Sequence, residues 1–212
     1  ITMAKSTVLL VNLGTPDTPS VVKVRSYLSQ FLNDPRVIDI PWLIRKILVN
    51  LIIVPFRAPK SAAIYKELWT DEGSPIITHG NSVKRLLQEK LGSDYTVELA
   101  MRYKNPSIPS VLNRIRKSNP NKIIVIPLFP HYASASTGSA LEAVMEEIKR
   151  WWVIPELSFV SQYWNHPKYI EAFVERGNQY NWKDYDHVIF SYHGLPERHV
   201  DKVYNKGLCN DK

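Results

Sequence analysis

The chain has 212 residues, of which 44% are hydrophobic and 22% are charged, and this composition excludes a disordered or a collagen-like protein. Lysine and arginine number 27 against 20 acidic residues, so the formal net charge of +7 excludes an acidic protein. A basic chain is compatible with nucleic acid, an anionic membrane surface or an acidic small molecule as partner. The single cysteine, Cys209, excludes an internal disulfide framework and an all-cysteine zinc site.

Short apolar runs alternate along the chain with segments in which apolar residues recur at helical spacing. The apolar runs predict strands over 7–13, 95–101, 122–129, 157–161 and 187–192. The helical spacing predicts helices over 21–31, 62–69, 81–91, 108–115, 137–152 and from 167 onward. Near the start of the helix over 137–152, Ser139 and Glu142 have the spacing of a capping box. The apolar residues of the last helix are expected to face inward, and they are Ile170, Phe173 and Val174.

This alternation of strands and helices predicts the α/β class, with a doubly wound parallel sheet covered by helices on both faces. In such sheets ligands bind at the carboxyl ends of the strands. The segments that follow predicted strands are 14–18, 102–106, 130–139 and 193–199, and they are the first places to look for a site. Residues 14–94 are too many for one crossover helix, so they indicate an insertion that forms a lid or a partner surface.

The most apolar part of this insertion is the segment 41–56, PWLIRKILVNLIIVPF. Arg45 and Lys46 interrupt it before the ~18 uninterrupted apolar residues of a spanning helix are reached, so we do not expect it to cross a membrane. It can be a buried helix or an amphipathic surface element that faces lipid or a flat apolar ligand, and the second interpretation is favoured. The apolar face would comprise Trp42, Leu43, Ile47, Leu48, Leu51, Ile52 and Phe56. The flanking cations suit anionic headgroups or ligand carboxylates, and they are Arg36, Arg45, Lys46, Arg57 and Lys60.

His193 is the leading candidate for chemistry, because it ends a predicted strand and precedes a Gly-Leu-Pro turn. A histidine there can present one ring nitrogen to a ligand, or it can simply bond to a local carbonyl. Glu197 and His199 follow, but their spacing matches no established zinc motif. His131 follows another predicted strand and is expected to be structural or to line the same cleft.

Other motifs give weaker signals. The hydroxyl-rich stretch 134–139 precedes a predicted helix and can either hold an anion or cap the helix. The turn at 14–18 lacks the phosphate-loop and dinucleotide motifs, which disfavours a flavodoxin-like nucleotide binder. The basic residues are scattered without interleaved aromatic residues, so we expect no nucleic-acid partner.

Six stretches stand out as longer motifs, and they are LLVNLGTP, FLNDPRVIDIP, RAPKSAAIYKELWTDEGSPI, AMRYKNPSI, PLFPHYASASTGS and FSYHGLP. In this order they resemble the ferrochelatase family, whose members insert ferrous iron into protoporphyrin IX to make haem. Any one of them is a weak signal, but together they cover nearly the whole chain. The most distinctive is FSYHGLP, which contains His193.

The resemblance implies a chelatase-like fold of two similar Rossmann-like domains with the porphyrin between them. It assigns 1–158 to the first domain, with an apolar lip over 36–60, and 159–212 to the start of a truncated second domain. It implies that His193 is the catalytic metal ligand or the base that accepts a pyrrole proton. The residues implied to bind porphyrin are Leu13, Arg57, Tyr65, Ser74 and Arg102, with Arg57 and Ser74 at the propionates.

The resemblance also implies protoporphyrin IX and ferrous iron as substrates and no prosthetic group, in a cytoplasmic protein that contacts the inner face of a membrane peripherally through 41–56. The family's second acid, a glutamate, lies beyond Lys212. We therefore expect the chain to be roughly the N-terminal two thirds of the enzyme and nearly inactive alone. Whether Cys209 joins an iron–sulfur cluster stays open. The alternatives are a cobalt or nickel tetrapyrrole chelatase and a non-catalytic tetrapyrrole-binding module.

Overall fold

A computed structural model describes residues 6–202 of the chain. The strands are β1 (Ser6–Gly14), β2 (Tyr95–Tyr103), β3 (Lys122–Pro127) and β4 (Glu156–Phe159). The main helices are α1 (Val21–Leu32), α2 (Trp42–Ile47), α3 (Val54–Leu68), α4 (Pro75–Leu91), α5 (Ile108–Lys117), α6 (Ser139–Ile148), α7 (Pro167–Gly177) and α8 (Glu197–Asp201). Two π-helical turns, Leu48–Ile53 and Ser134–Gly138, lead into α3 and α6.

The four strands form one parallel sheet in the order β2-β1-β3-β4, with β1 at its centre. Side chains of β1 alternate between two apolar cores, as the two-residue period of a strand requires. Leu9 and Val11 pack with α5 and α6, whereas Val8 and Leu10 pack on the side of α4. Helices therefore cover both faces of the sheet, and the predicted doubly wound α/β class is confirmed.

The end of β1 passes extremely close to the end of β2. Gly14 pairs with Tyr103 and has a φ of +106°, and a Cβ placed on it would lie 1.9 Å from the Tyr103 carbonyl oxygen. Only a residue without a side chain fits this position. The glycine of the LGTP motif therefore sets how tightly the two strand ends meet.

We expect Gly14→Ala to lower the free energy of unfolding by about 3 kcal/mol or more, because left-handed strain and a backbone clash act together. Urea unfolding followed by circular dichroism measures the change. Gly73→Ala is the matched control, since Gly73 has a similar φ of +103° but no atom within 4 Å of the added Cβ. Equal losses in the two variants would contradict a role for the close approach.

Residues 42–68 form a single helix, running from α2 through the π-helical turn into α3. Its buried face holds Val49, Val54, Ala58 and Ala62, which pack with α1. Its other face is exposed and apolar, with Trp42, Leu43, Ile44, Ile47, Leu51, Ile52 and Phe56 on it. The predicted exposure of these side chains is thus confirmed except for Leu48, which is half-buried, and whether they face lipid or a ligand stays a prediction.

By length and composition this helix is long and apolar enough to span a membrane. The sequence argument counted only uninterrupted apolar residues, whereas the helix continues to Leu68. That the segment does not cross a membrane stays a prediction. The prediction for the flanking cations also fails at two positions. Arg45 is buried and donates to the Ile38 and Ile40 carbonyls, and Arg36 is ion-paired with Glu142, so neither faces outward to headgroups.

The chain divides into two compact units, Ile1–Tyr163 and Trp164–Lys212, and the second is described by itself. The strand predicted over 187–192 is wrong, since these residues have no regular structure and Ile189 and Phe190 are 87% and 79% exposed. A strand requires a hydrogen-bonding neighbour, and none pairs with this segment in the described part of the chain. The inward orientation expected for the last helix is also wrong, because Ile170, Phe173 and Val174 are all exposed.

Candidate functional site

The candidate site lies at the carboxyl ends of β1 and β2, where the parallel fold brings separate motifs together. Leu13 and Gly14 end β1, and Arg102 and Tyr103 end β2. The loop after α1 adds Asp34, which is buried although it carries a charge. Because a buried carboxylate is costly unless it is paired, the contacts of Asp34 determine the architecture of this region.

Asp34 accepts four hydrogen bonds. Its Oδ2 accepts hydrogen bonds from Arg102 Nη2 at 2.7 Å, from the Tyr103 hydroxyl at 2.8 Å and from Ser139 Oγ at 2.6 Å. Its Oδ1 receives the backbone N–H of Arg36 at 2.8 Å. Burial opposes ionisation, but these hydrogen bonds and the Arg102 charge outweigh it and hold the pKa of Asp34 below its usual range. The carboxylate is therefore charged at neutral pH, and both of its oxygens accept hydrogen bonds.

Arg102 is held on more than one side. Its Nε donates to Ser139 Oγ at 2.7 Å and to the Ser139 carbonyl at 3.0 Å, and its guanidinium carbon lies 4.8 Å from the centre of the Tyr103 ring. Burial raises the pKa of the Tyr103 hydroxyl, which stays neutral and donates to Asp34. About a fifth of the Arg102 side chain remains exposed, so this fixed cation can still reach a ligand.

Ser139 does not cap α6, which corrects the capping-box prediction. The π-helical turn at Ser134–Gly138 extends the helix backward, so Ser139 lies inside it with its side chain free to bond to Asp34. Glu142, the other member of the predicted box, instead binds Arg36 Nε at 2.6 Å. Ser134 accepts from Arg36 Nη1 at 3.0 Å, so the hydroxyl-rich stretch serves this network.

Leu13 and Tyr65 border one aromatic cluster that also contains Tyr27 and Tyr103. Tyr27 is the centre of this cluster, and its ring meets those of Tyr65 and Tyr103 edge-on at centroid distances of 6.2 and 6.4 Å. Burial raises the pKa of Tyr65, and the nearby positive charge of Arg57 opposes that shift. Thus the structure brings Leu13, Arg57 and Tyr65 to one region, next to the strand end that carries Arg102.

Ser74 lies close to the end of β1. Its hydroxyl donates to Thr15 Oγ1 at 3.0 Å, and both side chains are buried. Thr15 directly follows Gly14, so this bond ties the residue that precedes α4 to the turn after β1. The structure therefore places five of the predicted residues, Leu13, Arg57, Tyr65, Ser74 and Arg102, in the first unit around the ends of β1 and β2.

His193 lies in the second unit, in an exposed segment without regular structure. Glu197 and His199 begin and continue the short helix α8. In residues 6–202 no three His, Cys, Asp or Glu side chains cluster as a metal site. His131, in the first unit, is exposed in the loop after β3. Cys209 lies outside the described residues, and whether it joins an iron–sulfur cluster stays open.

Sequence reasoning missed the acid at the centre of the site. Asp34 lies in the FLNDP motif, and its burial was not foreseen, nor were the roles of Tyr103 and Ser139. The available signal was the presence of all three residues in the family-like motifs FLNDPRVIDIP, AMRYKNPSI and PLFPHYASASTGS. The contacts of Asp34 with Tyr103 and Ser139 span 69 and 105 residues of sequence, which no local pattern encodes.

Comparison with known proteins gives a consistent result. A sequence model of the ferrochelatase family matches residues 5–209. The chain is similar to a ferrochelatase of Coxiella burnetii (strain RSA 493 / Nine Mile phase I), with 42% identity over 97% of this chain and 57% of the relative. It is also similar to one of Legionella pneumophila (strain Paris), with 42% identity over 95% of this chain and 60% of the relative. The chain thus spans less than two thirds of the length of these relatives.

Proposed function

The chain belongs to the ferrochelatase family, and we propose that the protein inserts ferrous iron into protoporphyrin IX, the final step of haem biosynthesis. The observation that carries the proposal is the 42% identity to curated ferrochelatases along nearly the whole chain. The arrangement at the ends of β1 and β2 supports it, because the half-buried apolar side chains of Leu13 and Tyr65 lie beside the cations Arg57 and Arg102 there. Such a surface suits a flat macrocycle that carries carboxylates.

Each predicted residue has a physical task in this proposal. Leu13 and Tyr65 contact the apolar face of the porphyrin, while exposed Arg57 pairs with a propionate. Ser74 already donates to Thr15, so it reaches a propionate only by exchanging that bond. Arg102, held by Asp34, places a fixed positive charge at the end of β2.

His193 is the proposed metal ligand, or the base that takes a pyrrole proton. The two inner pyrrole nitrogens must each lose a proton as the divalent iron enters, so charge is conserved when both protons leave. A neutral imidazole can accept a proton from such a nitrogen or donate its lone pair to the metal. Iron is a substrate in this reaction.

The test is iron insertion into a soluble porphyrin, followed by absorbance under anaerobic conditions, with the full-length protein. Saturable turnover with ferrous iron is expected. Cobalt and nickel are tested in parallel. Faster turnover with either metal would show that this metal, and not iron, is the substrate. Porphyrin binding without insertion of any metal would overturn the enzymatic proposal in favour of a binding module.

We further propose that the 212 residues alone turn over poorly, because the family's glutamate lies beyond them. We expect at least about a hundredfold lower rate than for the full-length protein, the size of effect that a general acid or base contributes. The comparison uses the same absorbance assay, with circular dichroism to show that both proteins are folded. Comparable rates would contradict a requirement for the missing acid.

We also propose a cytoplasmic protein that contacts the inner face of a membrane through the exposed apolar face of 41–56. Trp42, Leu51 and Phe56 are each exposed by more than 60%, an unusual density for a protein surface in water. Burial of such side chains in the headgroup region is favourable by about 1.5–3 kcal/mol each. The exposed cations Arg57 and Lys60 add attraction to anionic lipid.

Phe56→Ser is expected to weaken vesicle binding about tenfold, because it removes one large apolar side chain from the contact. Co-flotation with anionic vesicles measures the affinity. Trp152→Ser is the control, since Trp152 is fully exposed but lies after the end of α6, outside the helix over 42–68. An equal loss in both variants would show that the contact does not depend on this face.

A further inference from the structure

A cavity of about 650 Å³ lies beside the exposed side of α1, outside most of the site described above. Its walls include Arg25, Ser26, Asn33, Lys46, Arg102 and Lys104. None of Leu13, Arg57, Tyr65 and Ser74 lines it, and the residues that it shares with the site described above are Asp34 and Arg102. The cavity is therefore a separate candidate for binding.

The charges in the cavity are strongly unbalanced. Four cationic side chains line it, against the single carboxylate of Asp34. That carboxylate is already saturated, because it accepts hydrogen bonds from Arg102, Tyr103, Ser139 and the Arg36 backbone. The remaining cations therefore receive no compensation from it.

Arg25 and Lys46 are the least compensated of these groups. Within residues 6–202 neither side chain forms an ion pair or a hydrogen bond. Lys104 donates to Ser26 Oγ at 2.6 Å, which holds its ammonium at the wall without neutralising it. The other carboxylate near Lys104 is Asp17, and Asp17 is already paired with Lys23 at 3.2 Å.

The floor between these cations is built from polar side chains in fixed positions. Ser29 Oγ donates to Asn50 Oδ1 at 2.7 Å, and Asn33 Nδ2 donates to the same oxygen at 3.1 Å. These bonds join α1 to the helix that carries Lys46. Asn33 Oδ1 is buried without a hydrogen-bond partner among the described residues, so the floor also offers a free acceptor to a protonated oxygen of a ligand.

We propose that this cavity binds a phosphate-class anion. Several donors with positive charge, converging around a polar floor, match the tetrahedral oxygens of a phosphate, and a partly protonated phosphate can donate to Asn33 Oδ1. The phosphate is either free in solution or the headgroup of an anionic lipid, since Lys46 adjoins Ile47 on the exposed apolar face. In both cases the recognition chemistry is the same.

The test titrates inorganic pyrophosphate into the full-length protein by calorimetry, without porphyrin or metal, so the result does not depend on the proposed reaction. The double variant Arg25→Gln/Lys46→Gln is expected to weaken the affinity about tenfold or more, because two charge-assisted contacts are lost. The control is Lys66→Gln/Lys90→Gln, which removes two exposed charges outside the cavity. A second arm measures flotation with phosphatidylcholine vesicles, with and without phosphatidylglycerol.

If the double variant loses only pyrophosphate binding, the site is assigned to a free phosphate. If it loses only the dependence of flotation on phosphatidylglycerol, the site is assigned to a lipid headgroup. Loss in both arms means that the site accepts either source. Three results overturn the proposal: no saturable effect in either arm, equal losses in the control variant, or displacement of pyrophosphate by porphyrin. The last would make the cavity part of the porphyrin site.

Discussion

His193→Ala in the full-length protein is expected to reduce iron insertion by about 10²–10⁴-fold, because it removes the proposed base or metal ligand. The free energy of unfolding is expected to stay within about 0.5 kcal/mol of the unmodified protein, as for most substitutions of exposed residues. His193 is exposed, which supports this separation of activity from stability. The measurements are the absorbance assay and urea unfolding.

His187→Ala is the matched control, since His187 is exposed in the same segment of the second unit. Its activity is expected to match that of the unmodified protein. Retained turnover in His193→Ala would remove this histidine from the mechanism. A large loss of stability would instead assign it a structural role.

Asp34→Asn is expected to lower the free energy of unfolding by about 3–5 kcal/mol, the cost of leaving a buried charge without its partner. The amide of asparagine replaces one of the two acceptor oxygens with an NH2 group. Four donors now point at the carboxylate, so at least one of them would face another donor. Arg102 also loses its anchor, so we expect a higher KM for porphyrin. Urea unfolding at neutral pH and the absorbance assay measure the two effects.

The pH dependence of stability gives this prediction a second readout. The pKa of Asp34 is lowered in the folded protein, so the carboxylate stabilises the fold fully above its usual pKa of about 4. That contribution is lost as the pH falls from there through the lower folded-state pKa. In Asp34→Asn this part of the acid-induced loss of stability is expected to disappear.

Asp17→Asn is the control for the network. Asp17 is paired with Lys23 at the surface, where such a pair contributes less than about 1 kcal/mol. A loss as large as that of Asp34→Asn would show that the general charge balance, and not the buried network, determines the effect. A negligible loss in Asp34→Asn itself would contradict the importance of the four hydrogen bonds.

The sheet could be predicted from the sequence because its strands are locally distinctive. β1 and β3 are largely apolar, rich in β-branched residues and closed by Gly14 and Pro127, and burial on both faces of the sheet explains these properties. The run at 187–192 has the same local character but no pairing strand among the described residues. Local pattern therefore identified candidates for strands, and pairing decided which became strands.

The site could be predicted only where a motif carried it. Leu13, Arg57, Tyr65, Ser74 and Arg102 come from recognisable stretches, and the fold brings them near two strand ends. Asp34 is buried by tertiary contacts. Ser139 donates to Asp34 and does not cap a helix, because the π-helical turn extends α6 backward. Such features follow from packing and leave no trace in composition or spacing.

The contacts of Asp34 join residues 68, 69 and 105 positions away, which has a consequence for the order of folding. Contacts between positions so distant in sequence carry the entropy of closing large loops, so we expect them to form after the local helices. The carboxylate cannot meet its donors until β2 and α6 have docked on β1. We therefore expect the network to form late in folding. It would then slow unfolding of the folded domain and contribute little to the nucleation of folding.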